Sequence, residues 1–130
     1  MFHAKRAEWE ERLKKVFDEI DDFLEDRYGE KCNLHPARPG RNLTANKAQD
    51  GLFNVGATFT AGYGSRYGRG YVVEIHLVTL ESIPDRLMEL IERDVMEQLS
   101  EKLPRYFPHN ELYVKKDGGT IKIFGDLSFM

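Results

Sequence analysis

Ten residues, Gly62–Tyr71, hold the densest cluster of side chains in the chain that could bind a ligand. The stretch contains four glycines, three tyrosines, two arginines and no acid. Glycine lets the backbone approach a ligand closely, arginine offers a forked donor to phosphate or carboxylate, and tyrosine can stack on bases. We predict an anion-binding loop with Tyr63, Arg66, Tyr67 and Arg69 as ligand-binding residues.

Two nucleotide-binding motifs are excluded for this stretch by its spacing and context. No Gly-Lys-Ser/Thr follows, as a P-loop would require, and the stretch lies between two predicted strands instead of opening a helix. A hairpin tip favours an extended or surface-bound partner, such as nucleic acid or a phosphorylated ligand. A mobile tip with polar side chains and no ligand is an open alternative.

The charge distribution places this loop inside a basic segment. Residues 29–73 carry a net charge of about +4, although the whole chain carries −3. We expect Arg38 and Arg41, from the long basic loop 29–51, to join the anion site. A protein that coats nucleic acid usually has a larger positive excess, so the pattern indicates a local site.

Glu74 and His76 form a second, weaker candidate for chemistry, because alternation along a strand puts both on one face. They could act as a general base and its orienting partner, in a hydrolase for example. A Glu-x-His pair alone is more typical of a polar surface patch, so we lean against an enzyme. The histidines have no metal-ligand spacing, and we predict no metal and no cofactor.

Apolar periodicity predicts two helices. The first carries an apolar stripe from Trp9 to Leu24 at spacings of three and four, and Gly29 is its expected left-handed stop. The second is predicted over Ile83–Leu103. Its start would be a capping box of Ser82 and Asp85, and Pro104 would end it.

Alternating apolar residues predict four strands in two hairpins. The first hairpin pairs Phe53–Ala61 with Tyr71–Leu80, and its tip is residues 62–70. The second pairs Glu111–Lys115 with Thr120–Phe124. An Asp117-Gly118 turn would make Lys115 face Thr120, whereas a Gly118-Gly119 turn would make it face Lys122. We predict the first, because like charges directly opposite each other are unfavourable.

These elements predict an α+β fold built as a two-layer α/β sandwich. In the order α-β-β-α-β-β, two helices cover one face of a four-stranded, mainly antiparallel sheet. The other face would carry valines and aromatic residues, among them Val72, Tyr113 and Phe124. A homodimeric protein-interaction or assembly module acting through this open face is therefore the alternative function. The long loop folded back over it is another way to cover it.

Length and composition support a single domain spanning residues 1–130. The chain of 15.1 kDa is 41% hydrophobic and 32% charged, as expected for a globular protein. It has no apolar run long enough for a membrane span and no apolar signal core at its start. Cys32 is the single cysteine, which agrees with a reducing, cytoplasmic location.

Overall fold

The protein has the predicted α+β architecture. A computed structural model describes residues 2–127, with side chains for residues 5–47 and 49–127. Its elements are α1 (Phe2–Tyr28), a 3-10 turn (Lys47–Gln49), β1 (Phe53–Thr60), β2 (Gly70–Leu77), α2 (Asp85–Tyr106), β3 (Leu112–Asp117) and β4 (Thr120–Gly125). The strands form one open antiparallel sheet in the order β1-β2-β4-β3. If β4 is counted before α1 instead of after β3, the order of elements becomes β-α-β-β-α-β, which is the order found in split βαβ domains.

α1 follows from its apolar stripe. Trp9, Leu13, Val16, Phe17, Ile20 and Leu24 are all at most 6% exposed, and the helix packs against β1 and α2. It ends at Tyr28, as predicted, but Gly29 is not in the left-handed conformation. Glycine is needed there for space, because a Cβ would lie 2.4 Å from the carbonyl oxygen of Glu25.

α2 is displaced toward the C-terminus relative to its prediction. It begins at Asp85 after Pro84, with no side-chain cap, so the predicted capping box at Ser82 is wrong. Pro104 does not end the helix either, since the helix continues to Tyr106. The residue before this proline, Leu103, is 2% exposed in the core, and its burial outweighs the usual resistance of that position to helix.

β1 and β2 divide their residues between the two faces of the sheet. Phe53, Val55, Tyr71 and Val73 pack into the core beneath the helices. Asn54 and His76 are register partners on the other face, which no helix covers. β2 lies between β1 and β4.

The second hairpin has the register that we did not predict. Asp117 pairs with Thr120 around a Gly118-Gly119 loop, and Lys115 therefore faces Lys122. Only Gly118 of the two loop residues has a positive φ, 68°, which is the pattern of a type II′ turn. The repulsion between Lys115 and Lys122 argued against this register. It is relieved by the acceptors that bind the Lys122 ammonium group.

Candidate nucleic-acid interface on the open sheet face

Loop 62–70 is closed on itself by a turn and a tight backbone contact. The Ser65 N–H donates to the carbonyl of Gly62 at 2.9 Å, and Gly64 has the positive φ, 75°, that position i+2 of a type II turn requires. A Cβ on Gly62 would lie 2.1 Å from the carbonyl group of Gly68. The glycines therefore allow the two ends of the loop to touch.

Lys122 of β4 holds the loop against the sheet. Its side chain is 3% exposed, and its ammonium group donates to the carbonyl of Gly68 and, at 2.5 Å, to Ser65 Oγ. The Ser65 hydroxyl in turn donates to Asp117 at 2.5 Å, and Lys122 lies 3.7 Å from the same carboxylate. Because these contacts cross from the loop to β3 and β4, the loop is anchored to the open face.

Three aromatic rings form a row across this face, and we call Tyr67, Phe124 and Tyr113 the aromatic row. Tyr67, in the loop, stacks on Phe124 with ring centroids 4.5 Å apart and planes inclined by 14°. Tyr113 is the direct partner of Phe124 in the β3–β4 ladder, and their centroids are 5.5 Å apart. Tyr113 is 44% exposed, so the row presents an aromatic surface to solvent.

Cationic groups lie beside the aromatic row. The Arg66 guanidinium is exposed and lies 6.0 Å from the Tyr67 ring centroid, within the range of a cation–π contact. Lys115 is exposed on the same face of β3, two residues after Tyr113. Arg69 is exposed where the loop enters β2. The structure therefore brings Arg66 and Lys115, together with Tyr67, close to the open face.

Tyr63 lies at the outermost part of the loop. Its side chain is 96% exposed, and it belongs to the turn that begins at Gly62. Of the four loop residues predicted to bind a ligand, Tyr63, Arg66 and Arg69 are exposed and Tyr67 is half-buried. The Tyr63 ring is accessible to a partner but contributes little to the loop structure.

Arg38 has a structural role away from this loop, which corrects the prediction that it joins the anion site. Its guanidinium donates to the backbone carbonyls of Asp50, Gly51 and Phe53 at 3.1–3.3 Å. Phe53 begins β1, whereas loop 62–70 follows the other end of that strand. Eight strand residues span roughly 25 Å, so Arg38 lies at the opposite end of the sheet.

Arg41 is also taken up within the protein, which corrects the second part of that prediction. Its guanidinium pairs with Asp26 at 2.7 Å and Asp22 at 3.3 Å, and Lys47 pairs with Asp22 at 2.8 Å. Burial acts to raise the pKa of Asp22, but the hydrogen bonds from Lys47 and Arg41 outweigh it and lower the pKa. Arg41 and Lys47 of loop 29–51 therefore neutralise acidic groups of α1.

A buried carboxylate group under this loop was not predicted from the sequence. Asp21, Glu25 and Asp50 are each at most 9% exposed. Glu25 accepts from the Phe53 N–H at 2.9 Å, and Asp50 accepts from the N–H and hydroxyl of Thr44. Burial, followed by the charge of Glu25, raises the pKa of Asp21 to about 7. In the sequence Asp21 and Glu25 look like part of the charged outer face of α1, and Asp50 looks like a loop residue.

Glu74 and His76 are exposed side chains on the open face, and neither lines any of the cavities described for this protein. None of these cavities therefore supplies the cleft that a base and its orienting partner need. Among the side chains described, those of residues 5–47 and 49–127, no three His, Cys, Asp or Glu are arranged to hold a metal ion.

The fold and this face together define the class: a small α+β domain with an open, aromatic-bearing antiparallel sheet. The chain belongs to a family whose members are described as "Uncharacterised protein", and the family model matches residues 4–125. A relative from Borreliella burgdorferi, also described as uncharacterised, is 39% identical over 122 residues, covering 94% of this chain and 95% of the relative. No solved structure matches the chain. In the part of the chain described, neither helix combines the length and apolar character needed to cross a membrane.

Proposed function

We propose that this protein is a binding module for single-stranded nucleic acid, which lies across the aromatic row. The supporting observation is the alignment of Tyr67, Phe124 and Tyr113 on a sheet face that no helix covers. Proteins that bind single strands without sequence preference combine such rings with a cationic track, and base stacking contributes about 1–3 kcal/mol per base. This proposal extends the predicted anion site, because it gives the tyrosines the role of stacking on bases.

The cations on this face suit a phosphate backbone. Arg66 and Lys115 are exposed near the two ends of the row, where they can neutralise phosphates of a strand whose bases stack on the rings. Lys122 serves the site differently, because its ammonium group is already bound by Gly68 and Ser65. It fixes the position of Tyr67 through the loop and leaves phosphate contact to the exposed side chains.

Of the acidic residues of this face, Glu74 lies away from the row, whereas Asp117 anchors loop 62–70 and Glu111 hydrogen-bonds to Tyr113. Glu74 is four residues along β2 from Gly70, the strand residue that pairs with Phe124. At about 3.3 Å per strand residue, this separation is roughly 13 Å, which exceeds the Debye length at physiological salt. The proposed strand therefore runs at the Gly70 end of the sheet and avoids the end that carries Glu74 and His76.

Titration of a fluorescent single-stranded oligonucleotide, followed by anisotropy at several salt concentrations, tests this function. Tyr113→Ala is expected to weaken binding about tenfold, by the loss of one stacking surface. The Arg66→Ala/Lys115→Ala double variant should bind more weakly. The slope of its log binding constant against log salt concentration should be smaller by the amount expected for about two phosphate contacts. Arg86→Ala, an exposed charge on α2, is the control and should change neither.

The proposal fails if Tyr113→Ala binds like the wild type. It fails equally if the Arg66/Lys115 double variant keeps the full salt dependence. A duplex of the same sequence should bind more weakly, because its bases are already stacked on one another and are not available to the rings. Circular dichroism of each variant confirms that the fold is kept.

A further inference from the structure

The two edges of the sheet differ in the protection of their backbone groups. β3, at one edge, carries Lys115, Lys116 and Asp117 within six residues. β1, at the other, has eight residues with no charge and no proline. Proteins usually protect a free edge with charges, prolines or bulges, because its unpaired groups can bind another strand. The edge of β1 has none of these devices.

The β1–β2 ladder determines which β1 residues direct their backbone groups to this edge. The Val78 N–H donates to the carbonyl of Leu52 at 2.7 Å. Because bonded pairs alternate along an antiparallel ladder, the even-numbered residues of β1 bond to β2 and the odd-numbered residues face outward. Phe53 agrees with this rule, since both of its backbone groups are bound by side chains outside the sheet, Glu25 and Arg38.

Val55 and Ala57 are the next two residues that face outward. Among residues 5–47 and 49–127, no group outside the sheet accepts from their N–H or donates to their C=O, and Val55 is only 6% exposed. Backbone groups that are both buried and unpaired are costly. This segment of β1 therefore has the hydrogen-bonding requirement of a strand that is completed by a neighbour.

A groove of about 410 Å³ runs along this edge between β1 and α1. Residues 6–18 of α1 and 54–59 of β1 line it. Its apolar lining comes from Leu13, Phe17, Val55, Ala57 and Phe59, and its charged lining comes from Arg6, Glu10, Lys14 and Asp18. The groove thus offers apolar contact as well as backbone hydrogen bonds.

We propose that the partner of this edge is β1 of a second copy of the chain, paired antiparallel about a two-fold axis at Gly56. In this register Val55 and the second copy's Ala57 exchange backbone hydrogen bonds, about four in all by symmetry. The two Gly56 residues form the central, non-hydrogen-bonded pair, with Cα atoms roughly 4.5 Å apart. Glycine, with no side chain, suits this close approach.

The charges of α1 favour a second copy over an unrelated peptide. Arg6, Glu10, Lys14 and Asp18 alternate in sign at every fourth residue, and the row is centred on residue 12. The β1 part of the groove is centred between residues 56 and 57. A two-fold axis near both centres reverses the row, so Arg6 meets the second copy's Asp18 and Glu10 meets its Lys14. The row is therefore complementary to itself.

The resulting dimer has one eight-stranded sheet. A two-fold axis perpendicular to an antiparallel sheet keeps equivalent faces on the same side, so both aromatic rows lie on one continuous surface. This inference does not rest on the nucleic-acid proposal, because it depends on the β1 edge and α1 alone.

Disulfide trapping tests the axis directly in a Cys32→Ser background. Gly56→Cys should form a covalent dimer under mild oxidation, because the Cα separation of the central pair falls within the roughly 4.4–6.8 Å that a disulfide spans. A Cβ at Gly56 meets no atom within 4 Å. Gly119→Cys is the matched control, since Gly119 is equally unobstructed but lies in the β3–β4 turn. Equal cross-linking of the two variants overturns the proposal.

Sedimentation equilibrium provides the second test, without relying on cysteine variants. The wild type should be a dimer, and Arg6→Glu and Asp18→Lys should each weaken self-association at least tenfold through like-charge contacts. Mixing the two variants restores both opposite-charge contacts and should give a heterodimer. A wild type that stays monomeric at its highest soluble concentration overturns the proposal, and so does a mixture that associates no better than its components.

Discussion

Lys122 and Lys115 are direct partners in the β3–β4 ladder, yet their ammonium groups have different environments. Lys122 is 3% exposed and is bound by the Gly68 carbonyl and Ser65 Oγ, with Asp117 3.7 Å away. Lys115 is exposed to solvent. The like-charged pair is tolerated because one member is surrounded by acceptors, and the same acceptors attach loop 62–70 to the sheet.

This difference predicts unequal effects for the same substitution at the two lysines. Lys122→Met removes the cation and leaves the Gly68 carbonyl without its donor, so we expect a loss of about 2 kcal/mol of unfolding free energy. Lys115→Met should change stability by less than about 0.5 kcal/mol. Urea denaturation measures both, and hydrogen exchange in residues 62–70 should accelerate in Lys122→Met alone. Equal losses would show that the loop is not anchored by Lys122.

The loop closure predicts a graded cost for alanine at two of its glycines. Gly64→Ala introduces a side chain at a positive φ into open space and should cost about 1–2 kcal/mol. Gly62→Ala has the same backbone penalty and also places a Cβ 2.1 Å from Gly68, which adds roughly 1–3 kcal/mol. Thermal unfolding ranks the two variants. The reverse order would contradict the contact between residues 62 and 68.

The two arginines of loop 29–51 should differ strongly in their contribution to stability. Arg38→Ala leaves the carbonyls of Asp50, Gly51 and Phe53 without their donor, and we expect a loss of at least about 3 kcal/mol. Arg41→Ala removes surface ion pairs and should cost about 1 kcal/mol or less, decreasing with salt. Urea denaturation at low and high salt distinguishes them. A salt-dependent loss at Arg38 would be the contrary result.

Asp21 predicts a pH dependence of stability. The pKa of Asp21 is raised to about 7 in the folded protein. The folded state therefore retains a proton that the unfolded chain releases near pH 4. Stability should therefore fall as pH rises from about 4 to about 7, with the loss complete above that range. Asp21→Asn should be more stable than wild type at about pH 8 and lose this advantage at about pH 4.

Thermal unfolding across this pH range, compared with the exposed Glu11→Gln variant on the same helix, checks the assignment. Glu25, Asp22, Lys47 and Asp50 are the charged groups that act on Asp21. The control should keep the wild-type pH slope. An unchanged slope in Asp21→Asn would assign the pH dependence to other groups.

The sequence by itself determined the elements and the faces of this protein. Apolar spacing identified both helices and all four strands, because burial of a stripe or of alternate residues is a local requirement. It also identified loop 62–70 as a hairpin tip, and it placed Tyr113 and Phe124 on the open face. Element ends were less accurate, as Pro104 shows, because tertiary packing of Leu103 overrode a local preference.

Only the tertiary structure decided the partners of the charged residues. Arg38 and Arg41 resembled ligand-binding residues until the fold placed them against the carbonyls of residues 50, 51 and 53 and the carboxylates of α1, and only the fold showed that loop 62–70 covers Lys122. Lysine and arginine side chains are long and flexible, and the electrostatic gain depends on distance and burial. Those quantities are set by residues distant in sequence, so local pattern locates the charges but not the groups that they bind.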